Sequence, residues 1–588
     1  MSNRSLLGLT ALFSCLQLSG ATATDLKRPK AGETAEVLVQ YAHPPTSEDH
    51  QRVAAHRGRV RTTFENVPVG HYDVTPEALA DLEGNPDVVS INPNRRVTGN
   101  LDHVMAVTNV DQLQQHYASI GRAKASGISI AIIDSGINKW HQDLFAFATT
   151  TPRLVYSASF VATDSYTGDD YGHGTHVAGI AAGVDNIAYN LGYSNGAPID
   201  PRWFNGVAED ASLVSLKALD MNGNGQDSYV IAAIDAAISL KSKYNIRVIN
   251  LSLGRPVTTS YKTDPLCQAV EAAWKAGIVV VVAAGNDGRN DTHGTLGYGT
   301  INAPGNDPYA ITVGATNDKG ASKLANCVVT TYSSKGPTVI DHIVKPDLVA
   351  PGNRVVSYQA LNSTLALKYP GNGIPVEAYD PPSGSTALSG SFMTLSGTSM
   401  ATPVVSGVAA MLIDQNPAIT PDQVKAKLMQ SAWRGFPSTM STTVTNPNGT
   451  TTTFTAYNDI FTVGAGQVDA WAAYNSPAAP SGSAASPSAT FISNGSARLN
   501  LNSIAGTTAL WGSTALWGST AIWGSSVSGT TALWGSTALW GSSTVSSSTA
   551  LWGSTALWGS TALWGSSTPN STTSDAAETT QILLTGEN

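Results

Sequence analysis

The sequence predicts an α/β protein: a parallel sheet with helices on both faces, preceded by a small βαββαβ unit and followed by a low-complexity tail. From residue 128 onward, continuous apolar stretches such as ISIAIID and IVVVVAAGN alternate with helical segments, which is typical of buried parallel strands. Residues 35–91 show the six-element order at short spacing. After Asn475 the composition shifts abruptly to Ser, Thr, Ala and Gly.

The composition is that of a globular chain with few charges. Of 588 residues, 33 are Lys or Arg and 42 are Asp or Glu, so the charged share is 13%, about half of the roughly 25% found in ordinary globular domains. A net charge of −9 provides no basic surface for a phosphate backbone, so we expect no nucleic-acid partner. No apolar run after residue 25 is long enough to predict a membrane-spanning helix.

The first 23 residues have the pattern of a secretory signal. Arg4 precedes a short apolar run over 6–13, and a triplet of small residues ends at Ala23, where we expect cleavage. A lipoprotein site at Cys15 is the competing interpretation, although Phe13 is bulky where a small residue is expected. The mature protein is therefore expected to be secreted or extracellular, with association to the cell surface as a further option.

The βαββαβ unit follows the signal. We expect strands over 35–41 and 88–91, two strands around a turn over 59–74, and helices over 47–56 and 76–83. Because a unit of this size is marginal alone, it is expected to need a partner surface. The predicted domains are a signal peptide (1–23), the βαββαβ unit (24–102), the α/β domain (103–475) and the tail (476–588).

The α/β domain is predicted from its periodicity. We expect strands over 128–134, 211–219, 247–253, 278–286 and 310–316, and helices over 228–241, 266–276, 399–413 and 421–432. Functional sites in such sheets lie at the carboxyl ends of the strands. The residues considered next fall at or near those ends.

The tail carries a repeat. The hexapeptide TA(L/I)WGS occurs eight times and holds eight of the 13 tryptophans: Trp511, Trp517, Trp523, Trp534, Trp540, Trp552, Trp558 and Trp564. A period of six is a multiple of two and not of 3.6, so strands or a solenoid are favoured over a helix. A flexible segment is the equal alternative. Rows of exposed Trp would suit contact with carbohydrate or the cell envelope.

Two candidate functional residues lie early in the α/β domain. Asp134 ends the first apolar strand, where it is either a turn residue or a carboxylate at the edge of a site. His173 lies in GHGTHVAG, whose glycines allow close backbone approach at the start of a helix. His176 is spaced as a second metal ligand would be, but no third ligand follows, so a structural role is favoured over zinc.

Two more candidates lie later in the domain. Ser399 stands in SGTSMATP before an apolar helix, so it is either a cap or a nucleophile at a helix N-terminus. Asn286 follows an apolar strand in AAGNDG, where it is either a loop residue or an amide donor to an oxyanion.

Together these four contexts, in the order Asp, His, Asn, Ser, resemble the subtilisin-like serine peptidases (subtilases, peptidase S8). The resemblance covers about residues 30–475, and it includes FENVPVGHYDVT, so the βαββαβ unit looks like an inhibitory propeptide of the inhibitor I9 type. The resemblance implies that Asp134 orients His173, that His173 accepts the proton of Ser399, and that Ser399 attacks the scissile carbonyl. Asn286 and the Ser399 backbone N–H would then form the oxyanion hole.

The resemblance also implies where the substrate binds. Two edge segments, Gly223-Asn224-Gly225 and Ser252-Leu253-Gly254, would take the peptide between them as an added strand. Ala284 and Gly285 would wall the first specificity pocket, whose apolar lining favours uncharged residues. Asn302 stands where a glycine often forms the pocket floor, so the resemblance does not define the preferred residue. The segments KPDLVAPG and YSSKGP also match the family and are interpreted as structural.

The resemblance requires no cofactor, although calcium is common in the family. Asp143 matches one recurrent ligand position, but one carboxylate does not make a site of six to eight oxygens. Once Cys15 is removed with the signal, Cys267 and Cys327 remain, and the sequence leaves open whether they pair.

The sequence therefore predicts a secreted serine endopeptidase acting on proteins or peptides, made as a zymogen that its own propeptide inhibits until Ser399 cuts near Asn100. The alternative is a catalytically silent surface-binding protein that uses the Trp repeats. A peptide ligase acting through the same acyl-enzyme is a third option that no residue favours.

Overall fold

The structure is a computed structural model, and the residues it describes form two compact units, Met1–Thr98 and Gly99–Asn588. The described ranges are 21–22, 26–43, 45–63, 69–93, 100–139, 141, 144–146, 149, 151–184, 204–291, 295–375, 388–445, 450–477, 482–491, 497–500, 521–523, 538–540 and 582–587.

From β2 onward, the first unit has the βαββαβ order that the sequence predicts, and one additional short strand precedes it. Its strands are β1 (Ala21–Thr22), β2 (Ala35–Tyr41), β3 (Arg59–Thr63), β4 (Val69–Val74) and β5 (Val88–Pro93), and its helices are α1 (Ser47–Ala55) and α2 (Pro76–Glu83). The sheet order is β1-β5-β2-β4-β3. Strand β1 lies at the predicted end of the signal and pairs in parallel with β5.

Each helix of this unit begins at a side-chain cap. Thr46 and Asp49 form a reciprocal capping box at α1, and Thr75 caps α2 ahead of Pro76. Fully buried Val37, Val39 and Tyr72 belong to the core beneath the sheet. The unit therefore has a hydrophobic core of its own.

The second unit is built on an eight-stranded sheet. Its strands are β6 (Ser129–Asp134), β7 (Leu154–Ser159), β8 (Ser212–Lys217), β9 (Ile246–Leu251), β10 (Val279–Ala283), β11 (Ile311–Asn317), β12 (Val328–Val329) and β13 (Leu348–Pro351). The order is β12-β11-β10-β9-β6-β8-β7, with β13 also paired to β11. Every pairing is parallel except that of β12 with β11.

Helices surround this sheet, as predicted. They are α3 (Asn100–Val107), α4 (Val110–Ser119), α5 (His173–Ala182), α6 (Asp227–Tyr244), α7 (Pro265–Lys275), α8 (Thr364–Lys368), α9 (Thr398–Gln415), α10 (Pro421–Ser431) and α11 (Ala470–Asn475). Short 3₁₀ turns lie at Leu324–Asn326 and Pro370–Asn372. In the described part of the chain, no helix has the length and apolar character needed to cross a membrane.

Strand β6 lies between β8 and β9, where the direction of strand addition reverses. Such a switch point opens a crevice at the carboxyl ends of the strands. Asp134 is the last residue of β6, and α5 and α9 are almost wholly buried because their sequences are apolar and small on every face. This arrangement brings His173 and Ser399, near the helix starts, to the same layer of the fold as Asp134.

Several short strands lie outside the main sheet. They are β14 (Val355–Tyr358), β15 (Gly373–Pro375), β16 (Leu388–Leu395), β17 (Thr439–Thr445), β18 (Thr451–Tyr457), β19 (Ser488–Phe491), β20 (Ala497–Asn500), β21 (Ala521–Trp523) and β22 (Ala538–Trp540). Those before the Trp repeats were not predicted, whereas the last two lie within repeats for which strands were one of the options. In the tail, β21 and β22 pair in parallel with Trp523 opposite Trp540. The other six repeats lie outside the described residues.

Packing against the main core continues beyond Asn475. Ala485 and Ser486 are fully buried, and Ser486 Oγ donates to Asp347 Oδ1 at 2.5 Å. Asp347 belongs to the predicted structural segment KPDLVAPG and also contacts two buried ammonium groups, Lys345 at 2.7 Å and Lys425 at 3.0 Å. A buried carboxylate needs such partners, so this cluster fixes the segment after the last helix against the sheet.

Candidate active site

Asp134 and His173 form a buried pair at the end of the central strand. The Asp134 side chain is fully buried, and its two carboxylate oxygens lie 2.8 and 3.0 Å from Nδ1 of His173. Because an ionised carboxylate only accepts, Nδ1 carries the proton of the ring. The Nε2 atom makes no hydrogen bond with the residues that the structure describes, so it is available as a base.

Two glycines allow His173 to reach Asp134. Gly172 precedes α5 with φ of 104°, in the left-handed region that favours glycine. A Cβ on Gly174 would lie 2.2 Å from the carbonyl oxygen of Gly136 and 3.2 Å from Cβ of Asp134. The GHG segment is therefore required for the close approach of α5 to the loop after β6.

The carboxylate of Asp169 organises the same region, and sequence reasoning missed it. One of its oxygens accepts from Ser135 Oγ at 2.8 Å and Gly172 N at 2.7 Å. The other accepts from the backbone N–H and the hydroxyl of Thr175 at 2.7 and 2.6 Å. Asp169 thus joins the loop that begins at Asp134 to the first turn of α5. The only signal in the sequence is its place four residues before His173.

The pKa values of the two histidines of α5 are shifted in opposite directions. Burial disfavours the charged form of His173, but the Asp134 carboxylate more than compensates and raises the pKa of His173. Burial, assisted by His173, lowers the pKa of His176 to about 3. His176 Nε2 lies 3.1 Å from the carbonyl oxygen of Val355 and 3.2 Å from that of Met393, which agrees with its predicted structural role.

Ser399 is the second residue of α9 and half-buried. Its hydroxyl donates to the carbonyl oxygen of Ser252 at 3.1 Å, and the Ser252 hydroxyl donates back to the carbonyl oxygen of Ser399 at 2.8 Å. Within the described residues its hydroxyl bonds to Ser252 and not to His173. This reciprocal contact ties the nucleophile candidate to one of the two predicted substrate-binding segments.

Asn286 is held against the start of α9 by its oxygen. Its Oδ1 accepts from the backbone N–H of Thr398 at 2.9 Å and from the Thr398 hydroxyl at 3.1 Å. That orientation leaves Nδ2 without a hydrogen-bond partner among the described residues, 3.1 Å from the position that a Cβ on Gly397 would take. The amide donor is therefore fixed beside the turn that carries Ser399.

The predicted pocket residues converge on Asn302. A Cβ on Gly285 would lie 2.6 Å from Nδ2 of Asn302, and one on Gly254 would lie 3.1 Å from Cβ of Asn302. The backbone N–H of Asn302 donates to Ala284 at 3.0 Å, and its side-chain amide donates to Asp287 at 2.9 Å. Tertiary structure thus places a polar side chain where these segments meet.

The other edge segment is a turn stabilised by Asp220. The carboxylate of Asp220 accepts from the N–H groups of Asn222 and Asn224 at 2.8 and 2.9 Å. Asn224 and Gly225 are exposed, and Leu253 is half-buried on the opposite segment, next to exposed Gly254. Both predicted edges are therefore accessible to an extended peptide.

The structure also places the cysteines and the calcium candidate. Cys267 and Cys327 are buried free thiols, and burial raises the pKa of both, that of Cys327 to about 12. Asp143 lies outside the described residues. Among the residues that are described, no group of three or more His, Cys, Asp or Glu could hold a metal ion. Calcium stays an expectation from the sequence.

The fold and this geometry define a class of protein, and comparison with known families identifies it. Residues 125–501 match the model of the subtilase family, peptidase S8. The match covers more than half of the chain, so this chain belongs to the subtilase family and is a subtilisin-like serine peptidase.

The individual proteins that this chain resembles are named as proteases. The serine protease AprX of Bacillus subtilis is 32% identical over 382 residues, which are 63% of this chain and 76% of AprX. The thermostable alkaline protease of Halalkalibacterium halodurans is 31% identical over 376 residues, 64% of this chain and 81% of the relative. A solved cold-adapted subtilisin-like serine proteinase is 27% identical over 53% of this chain and 84% of its own, with a TM-score of 0.36. Family membership rests on the sequence matches.

Proposed function

We propose that this protein is an exported serine endopeptidase that hydrolyses peptide bonds through an acyl-enzyme on Ser399 and is made as a self-processing zymogen. Family membership supports the reaction class. The observation that carries the residue assignment is the buried contact of His173 Nδ1 with Asp134 at 2.8 Å, because it leaves Nε2 as the basic nitrogen.

The proton transfer needs the Ser399 hydroxyl to change its hydrogen-bond partner. Ser399 Oγ donates to the carbonyl oxygen of Ser252 in the resting geometry, so it must leave that oxygen to donate to His173. His173 then takes the hydroxyl proton while Ser399 Oγ forms a bond to the scissile carbonyl carbon. The imidazolium that results is stabilised by the Asp134 carboxylate.

The oxyanion has two donors. One is Nδ2 of Asn286, whose direction is set by the hydrogen bonds of its Oδ1 to Thr398. The other is the backbone N–H of Ser399, which lies in the first turn of α9, where N–H groups lack partners within the helix. The scissile C–N bond then breaks as His173 donates its proton to the leaving amine. His173 next takes a proton from a water molecule that attacks the acyl carbonyl, and the bond to Ser399 Oγ breaks as His173 returns the proton to Oγ, which releases the product acid.

The substrate is a protein or peptide in extended form. The accessible segments Gly223–Gly225 and Ser252–Gly254 would pair with its backbone on either side. Asn302 between Gly254 and Gly285 would form the floor of the first specificity pocket. Its side-chain amide donates to Asp287, so the floor of that pocket would be polar.

Secretion and self-processing complete the proposal. The signal pattern before residue 23 supports export, and the compact unit that ends at Thr98 supports a propeptide cut near Asn100. The test compares wild type with Ser399→Ala, using a fluorophosphonate probe and N-terminal sequencing. Wild type should be labelled and should begin near residue 100, while Ser399→Ala should be unlabelled and keep the preceding segment.

The matched control is Ser322→Ala, which changes an exposed serine. It should be labelled and processed like wild type. Normal maturation of Ser399→Ala in a host without other proteases would contradict self-processing, and failure of wild type to react with the probe would contradict the assigned nucleophile.

A second candidate function is adhesion by the Trp repeats. Strands β21 and β22 pair in parallel with Trp523 in register with Trp540, and this pairing of two repeats favours it. Trp523→Ala with Trp540→Ala should release the protein from carbohydrate particles or cells and leave probe labelling unchanged. Unchanged association would contradict this role.

A further inference from the structure

The last described segment of the chain packs against the catalytic unit. We call residues 582–587 the strap; they form a single helical turn followed by Gly586 and Glu587. Ile582 and Glu587 are each 2% exposed, and the leucines between them pack against the main core. About 90 residues, including all eight Trp repeats, separate this strap from the preceding packed strand at Ser488–Phe491.

The side chain and backbone of Glu587 are bound by several polar groups of the main unit. Its carboxylate accepts from Arg289 at 2.9 Å and from the backbone N–H of Thr331 at 2.8 Å, and the Thr331 hydroxyl donates to the same oxygen. Asn353 pairs with the Glu587 backbone in both directions, donating at 2.8 Å and accepting at 2.7 Å. Removal of the carboxylate would leave a nearly buried Arg289 without this ionic partner.

The conformation and the close surroundings of Gly586 favour glycine at this position. It has φ of +60°, and a Cβ there would lie 2.4 Å from Ser396 Oγ and 2.5 Å from Asn353 Oδ1. The Asn353 side-chain amide both donates to and accepts from the backbone of Glu587. Together with the close packing around Gly586, this pairing indicates a specific binding site for the strap.

The strap touches the segment that carries the nucleophile candidate. The carbonyl oxygen of Leu583 accepts from the backbone N–H of Ser396 at 2.7 Å, three residues before Ser399. The Ser396 hydroxyl in turn accepts from the backbone N–H of Arg354 at 2.8 Å. The strap therefore fixes the backbone of Ser396, directly before Gly397 and the start of α9.

The strap also touches the segment that carries the oxyanion donor. Arg289, which binds Glu587, lies three residues after Asn286 in the same loop. The loop is fixed further by the N–H of Gly288, which donates to the carbonyl oxygen of Tyr332 at 2.8 Å, next to Thr331. One short peptide thus contacts both segments whose relative position sets the oxyanion hole.

We propose that the strap is a positioning element of the active site, which binds the site formed by Arg289, Thr331, Asn353 and Ser396 and fixes the Ser399 turn relative to the Asn286 loop. This rests on the proposed function.

The test uses the otherwise full chain with residues 582–588 deleted, and a synthetic peptide of residues 581–588 added in trans. Deletion should lower kcat about 10- to 100-fold, because small displacements of catalytic groups have effects of this size. KM should stay unchanged, and kcat is normalised to active sites titrated with the fluorophosphonate. The peptide should restore kcat saturably, and a peptide with Glu587→Ala should not.

A point variant covers the case in which the deleted chain fails to fold. Glu587→Gln keeps the shape of the side chain and removes the charge that faces Arg289, so it should lower kcat in the same direction by a smaller factor. Asp235→Asn, which likewise converts a carboxylate to an amide but at an exposed site on α6, is the control and should behave as wild type.

Peptide binding is measured separately, by fluorescence anisotropy on the strap-deleted chain carrying Ser399→Ala. If the peptide binds this chain but the wild-type protein has no peptidase activity, the proposed function would be overturned, whereas the strap-binding site would stand. An active wild type whose kcat is insensitive to the deletion and to Glu587→Gln, or a strap-deleted chain that does not bind the peptide, would overturn the positioning role.

Discussion

Asn286 accepts a hydrogen bond from the backbone N–H of Thr398 at 2.9 Å, although 112 residues separate them in the sequence. A side-chain amide has one oxygen and one nitrogen on opposite sides, so engaging the oxygen fixes the direction of the donor. The contact therefore joins two motifs of the sequence into one element of the candidate oxyanion hole.

The first prediction concerns that donor. Asn286→Ala should lower kcat about 10²- to 10³-fold with little change in KM, because the donor acts on charge that develops in the transition state. Removal of one oxyanion-hole donor from a subtilisin has an effect of this size. The measurement is steady-state hydrolysis of a peptide anilide. Asn326→Ala, which alters an exposed amide, should retain full activity, and an active Asn286→Ala enzyme would remove Asn286 from the mechanism.

The second prediction concerns pH. His173 must be neutral to act as a base, and the Asp134 carboxylate raises its pKa above the ordinary value of 6.5, so kcat/KM should fall with decreasing pH through a midpoint above 6.5. The stability that this raised pKa contributes is present below the unfolded value and is lost as pH rises through the folded one.

The same prediction can be checked without turnover. In the Ser399→Ala background, Asp134→Asn should lower the pKa of His173 measured by NMR, because it removes the charge that raises it. Asp235→Asn, at an exposed site on α6, is the control and should leave the titration unchanged. An acidic limb at or below 6.5 would contradict the assignment.

The third prediction concerns Asp169. Asp169→Ala would leave four donors without their acceptor at the start of α5, and it should lower the free energy of unfolding by about 2–5 kcal/mol. Chemical denaturation in the Ser399→Ala background avoids self-digestion. The neighbouring Asp170 pairs with Lys217 at 3.2 Å through a side chain that is 41% exposed. Asp170→Ala should therefore cost less than about 1 kcal/mol, and equal effects of the two variants would contradict the role given to Asp169.

The fourth prediction concerns the helix that carries His173. Gly174→Ala would place a Cβ 2.2 Å from the backbone oxygen of Gly136. Since backbone atoms cannot yield as a flexible side chain does, we expect a loss of about 1–3 kcal/mol in stability and a larger loss of kcat. Thermal unfolding and active-site titration measure the two effects. Gly371→Ala, where no atom lies within 4 Å of the added Cβ, should change neither.

Local patterns were sufficient for the βαββαβ elements of the first unit and for the central strands of the main sheet. The strand β2 has the predicted bounds, and β6 and α10 differ from theirs by one residue, because continuous apolar runs and capped helices depend on neighbours in sequence. The hairpin of β17 and β18 was not predicted, since its strands are rich in Thr with little apolar alternation. The pairing state of the cysteines also required coordinates, because spacing along the chain does not set the distance between two thiols.

The sequence by itself determined the α/β class, the family and the four motifs around Asp134, His173, Asn286 and Ser399, because each depends on short runs of residues whose chemistry is local. Only the tertiary structure decided that Asp169 accepts hydrogen bonds from the first turn of the helix that begins at His173. The same holds for the hydrogen bond of Ser399 to Ser252 and for that of Arg289 to Glu587, 298 residues away in sequence. Such contacts depend on which surfaces of a packed core face each other. No local pattern records that, since a lone Asp or Glu has the same appearance in sequence whether it is exposed or buried among donors.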